Sequence, residues 1–171
     1  MAGLIQVIVG IALHRRGPDE LPASPFFLLL MLGASLTVEL ITLRIGSVVD
    51  SGVAVALLDT AIDLVFIWVV LAAFNRARRF RQTMSALLGT DIIMNGLAAL
   101  LSLWNQSLRA AENEALVPAL LFLVLAVWRI DVAGFVLARA LDRPYVLGVA
   151  IILAYVLLSI SVRATLFPAS V

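Results

Sequence analysis

Six ionisable side chains fall inside stretches that otherwise read as oil-soluble: Glu39, Asp59, Asp63, Asp91, Arg129 and Asp131. A charge at the centre of a bilayer costs about 3 kcal/mol or more, so each asks for a partner, a proton or a use. Carboxylates in such a setting can carry protons or cations. A guanidinium can hold two carboxylates at once through its fork of donors. Asp59 and Asp63 are four apart and share one helix face. Counted along their helices at about 1.5 Å per residue, Asp63, Asp91 and Arg129 come within roughly one turn of one another near the midplane. Glu39 and Asp59 form a second layer, and Asp131 sits deeper than Arg129. Arg129 and Asp131 are two apart and point about 160° away from each other, so different partners are expected.

Three readings follow. In the first, Arg129 pairs with Asp63 or Asp91 and pins the bundle internally. In the second, the surplus of carboxylates over the single intramembrane arginine lines a path for protons, cations or a substrate. In the third, that surplus meets a partner subunit. A two-carboxylate catalytic site from Asp59 and Asp63 lacks a positioned nucleophile or substrate. The only histidine, His14, stands among arginines as a surface residue, not a metal ligand. There is no cysteine and no phosphate-cradling glycine loop or Ser–His–Asp set, so no enzyme activity, metal or cofactor is expected.

The elements that must position these groups are transmembrane helices. The chain has 171 residues, 63% hydrophobic and 13% charged, with mean hydropathy +1.12. A soluble domain of this length needs far more polar surface. The fold class expected is all-α: a polytopic transmembrane bundle forming one domain over 1–171. Residues 1–16 read as an interfacial or partly embedded helix ending in a basic collar, not as a cleaved signal peptide. A Pro-rich connector follows, and Ser24-Pro25 opens the first span. Spans are expected at about 26–43, 53–74, 83–104, 116–140 and 145–167, each near the ~20 residues that cross a hydrocarbon core. Four spans with one re-entrant stretch is the rival topology.

Orientation follows from the arginines. With the N-terminus cytoplasmic, the inner side collects Arg15, Arg16, Arg76, Arg78, Arg79, Arg81, Arg139 and Arg143, and the outer side Arg44, Arg109 and Arg163. The C-terminus then lies outside. Arg76, Arg78, Arg79 and Arg81 form a juxtamembrane collar, read first as the topology signal and second as a site for anionic lipid head groups. Trp68, Trp104 and Trp128 read as interface or packing residues. Gly33, Gly89 and Gly96 read as points of close helix approach. A net charge of +1 gives no reason to expect nucleic acid.

The order of features carries a resemblance. Gly17-Pro18-Asp19-Glu20-Leu21-Pro22 leads to the first span, Arg-Phe-Arg-Gln-Thr-Met-Ser-Ala-Leu-Leu-Gly-Thr (Arg79 to Thr90) opens the third, and Val127-Trp128-Arg129 sits in the fourth. Over about residues 7–167 this resembles small bacterial members of the Yip (Ypt-interacting protein) domain family. The resemblance implies a five-span helical protein of the bacterial inner membrane without enzymatic activity. Eukaryotic relatives act in membrane trafficking through small GTPases. That role is not carried over, because the long cytosolic N-terminal region they use is not seen here. The expected function is therefore binding, scaffolding or assembly, with membrane lipids, a membrane-protein partner or a homo-oligomer. The alternative is a small carboxylate-lined transporter or proton/cation channel.

Overall fold

A computed structural model describes residues 2–45, 52–110 and 116–166. All regular structure among them is helical: α1 (Ala2–Ala12), α2 (Pro25–Ile45), α3 (Gly52–Ala73), α4 (Phe80–Ala110), α5 (Leu116–Leu141) and α6 (Tyr145–Leu166). Single 3₁₀ turns at Pro18–Glu20 and Ala77–Arg79 precede α2 and α4. Helices α2 to α6 are each long and apolar enough to cross a membrane. This is a multi-pass membrane protein.

The expected spans and helices agree to within three residues, except that the third runs on to Ala110. Proline starts α2, with the Leu28 N–H bonded back to the Ser24 carbonyl at 3.1 Å. Helices α1, α3 and α5 end alike. His14, Asn75 and Asp142 adopt left-handed φ of 58°, 58° and 53°. The next residue is an arginine each time, and its N–H reaches five residues back: Arg15 to Gly10, Arg76 to Leu71 and Arg143 to Ala138. The caps satisfy carbonyls that would otherwise be stranded and set a cation at the negative end of each helix. The three caps belong to one end of the bundle, here called the collar end.

Helix α4 is central, touching α1, α2, α3 and α5, while α5 and α6 pack closely on each other. Gly134 and Gly148 make that last contact. A Cβ on Gly134 would stand 2.6 Å from Val149 Cγ2 and 2.9 Å from its Cα. Gly89 is also pressed, against Ile8 of α1, but Gly33 and Gly96 face open space. The close approach expected at those two is made by Gly134 and Gly148 instead.

Two apolar cores stabilise the collar half. One joins Val7 and Ile11 of α1 to Ala86, Met94, Val132 and Val136, and the other joins Ile67, Leu71, Met84, Leu88, Leu137 and Ile152. Helix α1 lies against the flank of α4 and α5. Ile8 meets Gly89, and Trp128 Nε1 donates to the Ala12 carbonyl at 3.2 Å. Its outward face, with Ile5, Val9 and Leu13 exposed, is apolar. Gln82 ties the connector down by donating to the Leu21 carbonyl at 2.9 Å and to that of Asp19 at 3.3 Å.

Candidate functional site

The intramembrane charges sort into three places. Asp63, Asp91 and Arg129 come together, as their depths predict. Asp63 stands ten residues from the collar end of α3, Asp91 eleven from that of α4 and Arg129 twelve from that of α5. At about 1.5 Å per residue, all lie ~15–18 Å up the bundle, half of a ~30 Å core. Arg129 Nη2 sits 3.1 Å from Asp91 Oδ1, and Arg129 Nη1 donates to Asn95 Oδ1 at 3.4 Å. The pair is lopsided: the Asp91 side chain is 19% exposed and that of Arg129 is 49%. Asp63 does not take the guanidinium. Its Oδ1 accepts from the Tyr155 hydroxyl of α6. Ser159, one turn on, hydrogen-bonds Tyr155 in turn, and Phe66 packs on the Tyr155 ring at 5.0 Å between centroids.

These groups line one cleft of about 290 Å³ among α3, α4, α5 and α6. Ile67, Met84 and Ile152 form its apolar floor toward the collar end, and Ser159 and Ile160 stand at the opposite margin. The cleft exists because α5 and α6 touch at Gly134 and Gly148 near one end and leave space beyond. Met84, Leu87, Met94 and Val156 complete apolar walls around the polar ring.

The outer layer lies beside it. Asp59 is buried on α3 and has an interaction partner. Glu39, half-buried on α2, is within electrostatic reach of Asp59 and Arg129.

Asp131 is elsewhere, as its opposed direction on α5 requires. It accepts from the Tyr145 hydroxyl and lies 3.4 Å from His14 Nε2. The His14 ring stacks on Phe135 at 4.4 Å. His14 is thus not a solitary surface residue: its left-handed cap turns it back onto α5. This cluster joins the N-terminal arm to α5 and α6.

The collar divides. Arg76 Nη2 and Arg79 Nη1 both pair with Asp142, at 3.0 and 2.9 Å, and Arg79 also donates to the Ala140 carbonyl at 2.9 Å. This clasps the α3–α4 turn to the α5–α6 turn. The hydrogen bond from Arg79, with Arg76 and Arg139 near, holds the Asp142 carboxyl below the usual carboxylate value. Arg78 and Arg81 are exposed and make no ion pair among the described residues. Trp68 and Trp104 are exposed on the apolar surface, whereas Trp128 holds α1.

Tyr155, Asn95, Tyr145 and Asp142 were not among the residues picked from the sequence. Two signals could have found the first pair. Asn95 is four residues from Asp91, on the same helix face. Tyr155 and Ser159 also share a face, with Tyr155 ten residues into its span, at the depth of Asp63. Among the described residues no three His, Asp or Glu side chains converge as a metal site. Chemically, the cleft can hold a proton or a cation on Asp63 and fix a charged or hydrogen-bonding group beside Arg129.

Comparison with protein families, with characterised proteins and with solved structures found no match to this chain.

Proposed function

We propose that this is a non-enzymatic membrane protein that acts by binding, with the mid-height face around Arg129 as the place where a partner covers the bundle. The observation that carries the reading is the half-exposed Arg129 side chain. Asp91 neutralises it, but 49% of the Arg129 side chain is left open at a depth where an uncovered cation is costly. Ala126, three residues before Arg129 and so on the same face of the helix, is exposed as well. A second copy, another membrane protein or a lipid would cover this patch, in keeping with the Yip-type resemblance. The proposed setting is the bacterial inner membrane, N-terminus in the cytoplasm, collar facing inward and C-terminus periplasmic. Arg78 and Arg81 would then meet anionic head groups.

The mass of the protein extracted in native lipid tests this. A complex larger than one chain, reduced to single chains by Ala126→Arg, is expected. A lone chain that carries cations across liposomes would overturn the reading. A second reading, a proton or cation path, has one observation in its favour: Asp63 faces the cleft with a neutral hydroxyl as its hydrogen-bond partner. Flux abolished by Asp63→Asn in a folded protein is its signature.

A further inference from the structure

We infer that the cleft among α3, α4, α5 and α6 is a binding site for a lipophilic organic cation, with the Asp63 carboxylate as its counter-charge. The inference rests on the binding reading and gives the cleft an occupant.

The charge count comes first. Asp63, Asp91 and Arg129 line the cleft. Arg129 is matched by Asp91 at 3.1 Å, so one carboxylate remains beyond the cation present. Asp63 is that carboxylate, held by Tyr155, which donates a hydrogen bond without neutralising it. A positive group entering beside Asp63 balances the cleft, whereas an anion would meet two carboxylates and an arginine already engaged. The ring pair of Tyr155 and Phe66 adds aromatic surface close to the carboxylate, which favours a cation with a diffuse charge.

The walls set the rest of the ligand. Met84, Leu87, Met94, Ile130, Ile152 and Val156 offer branched and thioether surface, suited to an apolar body of loose shape. About 290 Å³ is at the small end of ligand sites. A lipid head group is a poor occupant, because Asp63 lies ~15 Å from the collar end of its helix. An acyl chain would leave the carboxylate unmatched.

Protein in phosphatidylcholine nanodiscs, dialysed against tetraphenylphosphonium or tetraphenylborate, tests this, with binding to empty discs subtracted. The two ions match in shape and differ in sign. Saturable phosphonium binding, at least tenfold tighter than borate, is expected. Asp63→Asn should weaken it at least tenfold, while Asp142→Asn at the collar leaves it unchanged. Ile160→Trp, at the exposed margin of the cleft, should weaken it as well, and serves if the Asp63 variant does not fold. Equal or tighter binding of borate overturns the inference, as does phosphonium binding that survives Ile160→Trp and Asp63→Asn. If neither ion binds but the extracted protein still runs as a complex, the organic cation is wrong and the binding reading stands.

Discussion

The two halves of this bundle are built from the same apolar residue types and are held in different ways. In the collar half, three helices end in left-handed caps, Arg76 and Arg79 clasp Asp142, Gln82 holds the connector, and most of both apolar cores lies there. Of the largest fully buried side chains, only Met94 and Pro118 lie well beyond it. At mid-height and above, Asp59, Asp63, Asp91, Tyr155 and Ser159 turn inward beside the buried Val55, Ala56, Thr60 and Met94. Water drives neither half together inside a bilayer, so packing and polar contacts must do it. The collar half uses close packing and capped backbone. The other half uses a few strong polar contacts around a cleft. The difference teaches where rigidity and where recognition reside: one end is a fixed base, the other a chamber mounted on it.

Substitutions can break that contrast. Arg129→Leu should have the largest effect, about 3 kcal/mol or more, because it strands Asp91. The double change Arg129→Leu with Asp91→Leu should recover much of it, read as thermal midpoint in nanodiscs. If the single change is silent, the pair does not hold the upper half. Gly148→Leu should cost about 1–3 kcal/mol by driving α6 off α5. It should also alter the cleft, visible as changed fluorescence of a probe attached near Ile160. Gln82→Ala should cost about 1 kcal/mol and speed proteolysis of the connector without touching the cleft. The smallest effect belongs to Asp142. Its carboxyl is held below the ordinary value of 3.8, so its contribution is present above that value and lost as pH falls through the lowered one. In Asp142→Asn the thermal midpoint should depend less on pH in that acid range, with the cleft unaffected.

Helix ends were legible because proline, glycine and arginine mark them directly. The basic run from Arg76 to Arg81 hid the start of α4, where Phe80 packs against the second core and Gln82 holds the connector. The meeting of Asp91 and Arg129 was readable as one of two options from depth alone. Choosing between Asp63 and Asp91 needs the order of helices around the bundle, which loop lengths do not encode. Tyr155 reaches Asp63 only because α6 lies against α3. The pairing of His14 with Asp131 depends on a cap that reverses the chain after α1, a backbone event that residue types alone rarely announce for histidine. Gly134 and Gly148 lie ~14 residues apart on different helices, so no spacing within one helix exposes them.

The bond from Trp128 to Ala12 spans 116 positions of the chain. A ribosome releases the first of these long before the second enters the bilayer. The N-terminal arm must therefore wait, apolar and unseated, until its docking flank has been inserted. A segment made early is thus seated late, and replacing Trp128 with alanine should lengthen that wait before it weakens the finished molecule.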